Sequence, residues 1–158
     1  MQGRSSKIAT ERRRGWIVDA SVAAKWYLRD EKNIEQADAV LDRHARGRVP
    51  ITAPNLSRYE LTNALLRAIR SGRIDEAYAQ RSARRFFALR IVQPTDPDDR
   101  ISLALELAYG TGISFFDAMY VALAEELALQ VLTADEFLLE RVGRHLPSAM
   151  VHIADVLR

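Results

Sequence analysis

The sequence contains no cysteine. This absence excludes a disulfide framework, a thiolate metal site and a cysteine nucleophile, so any chemistry must use oxygen and nitrogen groups. The chain also lacks an apolar run of the roughly 20 residues that a membrane span requires, and its basic start lacks the apolar segment of a secretory signal. We therefore expect a cytoplasmic protein. No glycine-rich phosphate loop is present, which argues against nucleotide binding through a glycine cradle.

Length and charge indicate one domain with an arginine-rich surface. A chain of 158 residues can bury roughly 70% of its unfolded surface in one core. We predict that residues 1–15, which are basic and have little to bury, form a flexible N-terminal extension, and that residues 16–158 form the domain. Of the 23 basic residues, 20 are arginine, whose planar guanidinium suits phosphate, although charge runs more often form solvated helix faces.

Short β-prone segments alternate with longer segments of helical periodicity. The predicted helices follow Asp19 as far as Leu28 and then cover residues 34–45, 57–70, 74–89, 98–109 and 114–127, with a short helix from residue 136. The predicted strands cover residues 16–18, 51–53, 91–92, 131–132 and 150–153. This alternation is typical of an α/β fold with three layers, in which a short parallel sheet of four to five strands is flanked by helices.

Four acidic residues stand where a predicted strand ends or a predicted helix begins: Asp19, Glu60, Asp117 and Asp135. Each can be explained as a helix cap. Glu60 and Asp117 follow a serine by three residues, which is the spacing of a capping box, and Asp135 is favourably placed near a helix N-terminus. Taken singly, each acid is more often a cap than a metal ligand.

The predicted topology favours a metal site over four separate helix caps. Ligands in open parallel sheets bind at the carboxyl ends of the strands, where all four acids are predicted to lie. Two like charges about 4 Å apart repel by roughly 4 kcal/mol at an effective dielectric near 20. A divalent cation relieves that repulsion, and carboxylate oxygens without cysteine favour Mg²⁺ or Mn²⁺. The matching chemistry is phosphodiester hydrolysis. Asp19 and Asp117 are the first choices as ligands, with Glu60 completing the shell or orienting water and Asp135 anchoring a second ion.

Residues near these acids have supporting or structural interpretations. Ser21, Asn63 and Thr133 lie close enough in sequence to hold the acids by hydrogen bonds, although ordinary turn roles explain them equally well. The histidines lie far from the acidic segments and are interpreted as surface or packing residues. The aromatic residues, Phe115 and Phe116 among them, fall in apolar runs, and we predict that they pack in the core rather than stack on bases.

Four segments resemble the acidic motifs of PIN-domain proteins, and the small size of the chain resembles the VapC toxins of toxin–antitoxin pairs. The segments are Ile17-Val18-Asp19-Ala20-Ser21, residues 59–65, residues 116–124 and residues 132–135. They occur in the expected order between residue 16 and the C-terminus. The segment around Asp117, with its acid, aromatic and alanine-rich helix, is the most specific of the four.

The resemblance implies an Mg²⁺- or Mn²⁺-dependent endoribonuclease in which Asp19, Glu60, Asp117 and Asp135 match the acidic positions of the family. It also implies the toxin of a type II toxin–antitoxin system, an RNA substrate, a VapB-like antitoxin that covers the active site, and a homodimer. Apolar positions on the third and fourth predicted helices suggest a face for subunit pairing: Leu61, Leu65, Ile69, Phe86 and Leu89.

Two alternatives stay open. One is a catalytically inactive PIN-like module that binds RNA or a protein, although such a module has no electrostatic reason to keep clustered carboxylates. The other is a phosphatase that uses Asp19 as its nucleophile. It ranks last, because Ser21 occupies the position where such an enzyme would carry its general acid.

Overall fold

A computed structural model describes residues 14–157, so most of the predicted N-terminal extension lies outside the described residues. The sheet has four parallel strands in the order β2-β1-β3-β4. The strands are β1 (Trp16–Val18), β2 (Ile51–Thr52), β3 (Gln130–Thr133) and β4 (Met150–His152). The predicted α/β class and parallel sheet are therefore confirmed.

The predicted strand at residues 91–92 is reduced to one bridge between Ala53 and Val92. Two backbone hydrogen bonds flank this bridge, from Ala53 to the Ile91 carbonyl and from Gln93 to the Ala53 carbonyl. After Ala53 the chain leaves the sheet in a turn, in which the Pro54 carbonyl accepts the Ser57 N–H at 3.0 Å. The pairing therefore ends after one bridge at this edge of the sheet.

Seven helices surround the sheet in the described part of the chain: α1 (Ala20–Ala23), α2 (Ile34–Ala45), α3 (Ser57–Arg70), α4 (Glu76–Ala88), α5 (Asp98–Thr111), α6 (Phe115–Leu127) and α7 (Glu136–His145). The first is shorter than predicted, because its chain tightens into a 3₁₀ turn at Ala24–Trp26. Helix α4 begins later than predicted because the Asp75 carboxylate accepts the Tyr78 N–H and so acts as its N-cap.

Each face of the sheet carries its own apolar core, because successive side chains of a strand point to opposite faces. Ile17 of β1 and Val131 of β3 pack with α5, α6 and α7 on one face. Val18 and Leu132 pack with α1, α2, α3 and α4 on the other. Strands buried on both faces explain the short continuous apolar runs in the sequence. The result is the predicted arrangement of three layers.

Two expectations about apolar side chains are wrong. Leu61, Leu65 and Phe86 were predicted to form a face for subunit pairing, but they are almost completely buried in the core of this chain. Phe116 was predicted to pack in the core, but 61% of its surface is exposed. Its position at the start of α6 directs it outward although Ala118 to Ala124 of the same helix are all buried.

No single helix in residues 14–157 is long and apolar enough to cross a membrane. Only α5 and α6 taken together reach the length and apolar composition of a membrane span, and the two helices are bent by 116° relative to each other.

Candidate active site

The ends of β1 and β3 and the starts of α3 and α6 surround a cavity of about 530 Å³. All four acidic residues predicted from the sequence line it: Asp19, Glu60, Asp117 and Asp135. Ser21 and Asn63, which were considered as supporting residues, also lie on its wall. The cavity stands at the carboxyl edge of the parallel sheet, where the topology predicted a site.

Asp19 is fixed at the centre of this wall. Its N–H donates to the Leu132 carbonyl at 3.0 Å, and its side chain is buried. Hydroxyl groups of Ser21 and Thr133 both donate to its Oδ2, at 2.6 and 2.9 Å, so neither hydroxyl uses Oδ1. Burial raises the pKa of Asp19, the two hydroxyl groups oppose this rise, and the negative charge of Asp117 adds to it. Asp19 is thus a constrained carboxylate beside a second one.

Glu60 meets a tyrosine that the sequence reasoning did not identify. The buried Tyr120 hydroxyl donates to Glu60 Oε2. The pKa of Glu60 is raised to about 7, chiefly by burial and also by the charges of Asp19 and Asp117, although the hydrogen bond from Tyr120 opposes this rise. The available signal was spacing, because Tyr120 follows Asp117 by three residues and shares its helix face. Glu60, Asp19 and Asp117 are close enough to influence each other electrostatically.

The helix-cap interpretation is correct for two of the acids. Ser114 Oγ accepts the Asp117 N–H at 3.0 Å and donates to the Asp117 carboxylate at 2.7 Å. Asp135 Oδ1 accepts the N–H groups of Phe137 and Leu138 at 2.9 and 3.0 Å. Ser114 therefore caps α6 with Asp117 as its first-turn partner, Asp135 itself caps α7, and both acids also line the cavity.

The capping box predicted from Ser57 and Glu60 does not form. Ser57 is the first residue of α3, and its buried Oγ has no hydrogen-bond partner among the described residues. Glu60 instead turns to Tyr120. Glu60 is therefore partly buried near two other carboxylates, and the Tyr120 hydrogen bond offsets only part of the cost of its charge.

Basic side chains also line the cavity. Lys25 and Arg73 line it, but both pair with Glu31, at 3.1 and 3.3 Å. Arg67 also lines the cavity, is exposed, and makes no ion pair with any residue from 14 to 157. A guanidinium without an ion pair among these residues, on the wall of the same cavity as the acids, is suited to an anion such as a phosphate group.

The donor set fits a hard divalent cation in its chemistry, since the acids of the cavity supply only oxygen ligands. Within residues 14–157, no group of three or more acidic or histidine side chains is arranged so that it could hold a metal ion as it stands. Mg²⁺ takes only one or two carboxylates directly and keeps several waters, so a site for it does not require three side-chain ligands.

Replacing Glu60 by glutamine should stabilise the chain in EDTA at pH 8. The pKa of Glu60 rises from 4.5 to about 7 on folding, so the free energy of unfolding falls as the pH rises through that range and then levels. We expect Glu60→Gln to add roughly 1 to 2 kcal/mol at pH 8, a figure reduced because the side chain is only partly buried, and little at pH 4. Urea unfolding measures this. Glu106→Gln, on exposed α5 surface, is the control, and equal stability of wild type and Glu60→Gln at pH 8 would contradict the coupling.

The comparisons with known proteins agree with this fold. The family model of the PIN domain matches residues 16–144, and the chain therefore belongs to the PIN-domain family. Its relatives place it among the VapC-type members. It is 31% identical to "Exonuclease VapC9" of Pyrobaculum aerophilum over 115 residues, which cover 73% of this chain and 84% of that protein.

A second relative and a solved structure extend this agreement over most of the chain. The chain is 30% identical to "Ribonuclease VapC3" of the same organism over 129 residues, covering 79% of this chain and 92% of that protein. The crystal structure of PAE2754 from Pyrobaculum aerophilum superposes with a TM-score of 0.67 at 25% identity, covering 90% of this chain and 92% of that one.

Proposed function

We propose that this chain is the toxin of a type II toxin–antitoxin system and acts as an Mg²⁺- or Mn²⁺-dependent endoribonuclease. The observation that carries the proposal is the cavity at the sheet edge, which is lined by Asp19, Glu60 and Asp117 together with Arg67, and in which neighbouring carboxylate charges help to raise the pKa values of Asp19 and Glu60. Three coupled carboxylates favour a cation, and a free guanidinium favours a phosphate. A phosphodiester bound with a divalent cation satisfies both.

Asp19 and Asp117 are the proposed ligands of the cation, and Asp135 is the proposed anchor of a second one. When bound, the cation neutralises charge on the phosphoryl group and polarises it toward attack by water. Ser21 and Thr133 hold Asp19 through its Oδ2. The hydroxyl of Tyr120 orients Glu60, whose pKa near 7 suits it to accept a proton from the attacking water at neutral pH. Arg67 is the proposed contact for the substrate phosphate.

The expected substrate is RNA cut at internal phosphodiester bonds. The two relatives carry the names exonuclease and ribonuclease, so the position of the cut needs its own test. Purified protein with Mg²⁺ or Mn²⁺ should cleave a circular single-stranded RNA, which has no end for an exonuclease, and EDTA should stop the reaction. A linear RNA of the same sequence is the matched substrate.

The outcomes separate the alternatives. Cleavage of the circle supports the endonuclease, whereas cleavage of the linear RNA alone would assign an exonuclease. No cleavage of either RNA with millimolar Mg²⁺ or Mn²⁺, together with retained RNA binding, would contradict the proposed activity and favour an inactive binding module.

As a toxin, the chain is proposed to pair with a VapB-like antitoxin that covers the cavity, and to form a homodimer. The faces of α3 and α4 predicted for pairing are buried, but α5 exposes Ile101, Leu105 and Tyr109 at four-residue spacing. Residues four apart share one helix face. This stripe is the proposed surface for pairing of subunits, and light scattering of the purified chain measures its oligomeric state.

A further inference from the structure

A second pocket, of about 490 Å³, lies where the segment from Tyr27 to Asp30 meets the start of α4, and we call it the α4 pocket. Tyr78 and Arg81 of α4 line it, as does Arg73 from the turn before that helix. The Tyr78 hydroxyl donates to the Tyr27 carbonyl at 2.7 Å and so holds the two sides together. The four acids of the active-site cavity do not line this pocket, but Arg73 lines both spaces, which are therefore neighbours.

The acids of the α4 pocket already have partners. Asp30 accepts two hydrogen bonds from Arg73, at 2.6 and 2.8 Å, and Asp75 accepts a backbone N–H as the N-cap of α4. Arg29, which also lines the pocket, donates to both carboxylate oxygens of Asp38 at 2.7 Å. These charges are balanced within the chain.

Arg81 is the charged side chain of the pocket that lacks such a partner. It is exposed and makes no ion pair with any residue from 14 to 157. Arg85 follows one turn later on the same face of α4, is also exposed, and likewise has no ion pair in that part of the chain. No acid stands three or four residues from either arginine along α4. Two like charges at this spacing repel each other, and a bound anion relieves the repulsion.

The hydroxyl of Tyr27 is a further polar group without a partner. Tyr27 is only 7% exposed, and its hydroxyl makes no hydrogen bond with any group of residues 14–157, although a buried tyrosine hydroxyl usually has one. The pKa of Tyr27 is raised to about 12, chiefly by burial, and the charge of Arg85 opposes this rise. The hydroxyl is therefore protonated at neutral pH and lies within the electrostatic influence of Arg85. It is a donor available to a ligand.

The chemistry of these groups selects an oxyanion. Guanidinium groups only donate hydrogen bonds, and their planar fork matches the oxygens of a phosphate. A carboxylate of an acidic protein segment offers similar oxygens, but the position of the pocket favours a phosphate. Because Arg73 borders both spaces, a polynucleotide held at the carboxylates has a direct path for its further phosphates into the α4 pocket.

We propose that the α4 pocket is a second phosphate-binding site, in which Arg81, Arg85 and the Tyr27 hydroxyl hold a backbone phosphate of the RNA away from the bond that is cut. This inference rests on the proposed function and adds to it a contact outside the active-site cavity. Phosphate contacts position a nucleic acid without reading its sequence. The contact should therefore depend on the length of the RNA and not on its bases.

The salt dependence of RNA binding tests the proposal without cleavage. In EDTA, Arg81→Gln should raise the Kd of a labelled single-stranded RNA of about 16 nucleotides roughly threefold to tenfold. The slope of log Kd against log salt should fall by about 0.7, the contribution of one phosphate contact to a single strand. An unchanged Kd and slope would overturn the proposal, whether or not the variant weakens an acidic protein partner.

Arg48→Gln is the matched control. Arg48 is also exposed and makes no ion pair with residues 14–157, but it precedes β2 and so lies at the opposite edge of the sheet from the active-site cavity. Its substitution should leave Kd and slope unchanged. Equal losses in Arg48→Gln and Arg81→Gln would show an effect of net charge alone and would overturn the site.

Tyr27→Phe removes the unpartnered hydroxyl and keeps the ring. Because the hydroxyl has no partner in the described part of the chain, urea unfolding should show no loss of stability, whereas the Kd for the same RNA should rise roughly twofold to fivefold. Lower stability with an unchanged Kd would show that the hydroxyl has only a structural role and would remove Tyr27 from the site.

The length of the RNA separates this site from the active-site cavity. A dinucleotide has a single phosphodiester, so with Mg²⁺ its kcat/KM should be the same for Arg81→Gln and the unsubstituted chain. For the longer RNA, kcat/KM should fall by the factor by which Kd rises. Equal falls for both RNAs would contradict a second site. Failure of the unsubstituted chain to cut either RNA would contradict the proposed function, whereas the shifts of Kd and slope in EDTA would still support the phosphate site.

Discussion

Asp19→Asn should lower kcat for RNA cleavage at saturating Mg²⁺ by at least about a thousandfold, the effect expected when several kcal/mol of charge stabilisation are lost. Asparagine has nearly the same shape, and its carbonyl oxygen can accept the hydroxyl groups of Ser21 and Thr133 that now bind Oδ2. Folding should therefore survive while the negative charge is lost. Single-turnover cleavage of a labelled RNA measures the change.

Asp98→Asn is the control for this substitution. Asp98 is an exposed acid in the first turn of α5 and does not line the cavity, so its kcat should match that of the unsubstituted chain. A folded Asp19→Asn variant with more than a tenth of the original kcat would contradict the assignment of Asp19 as a ligand.

Arg100→Met should lower the free energy of unfolding by roughly 2 to 4 kcal/mol. The buried Arg100 guanidinium donates to both carboxylate oxygens of Glu126 at 2.8 and 3.1 Å and to Asp96 at 3.0 Å. It ties α5 to α6, the helix that begins beside Asp117, and to the loop before α5. Methionine keeps the apolar volume but leaves Asp96 without its partner. Urea unfolding of the metal-free chain measures the loss.

An exposed ion pair in the same chain provides the comparison. Arg144 pairs with Glu140 one turn away on α7, and both side chains are largely exposed. Arg144→Met should therefore change the free energy of unfolding by about 0.5 kcal/mol or less. Equal losses in the two methionine variants would contradict the stabilising role assigned to Arg100.

The helices and strands could be predicted because each one is specified by residues that lie close together in the sequence. Apolar runs with β-prone residues mark β1 and β3, and the order of strands and helices implies a parallel sheet. The weak element was the strand at residues 91–92, which pairs through one bridge only because the neighbouring chain turns away after Ala53. The length of a strand at the edge of a sheet depends on how far the neighbouring strand continues, and the residues of the edge strand do not show this.

The acids of the site could be predicted because the carboxyl ends of parallel strands lie at the same edge of the sheet. Their partners were not, since Tyr120 and Glu60 are 60 residues apart and meet only after folding. The same holds for Phe116, whose apolar neighbours in sequence suggested the core. Burial depends on how α6 packs against the rest of the chain, and within that helix it begins only at Ala118.

The central claim is that Asp19 and Asp117 bind a divalent cation, and calorimetric titration of the purified chain with Mn²⁺ tests it most directly. The unsubstituted chain should bind Mn²⁺ at millimolar concentration or below, and the double variant Asp19→Asn with Asp117→Asn should bind at least about tenfold more weakly. Equal binding by the two proteins, or no binding by the unsubstituted chain, would contradict the account.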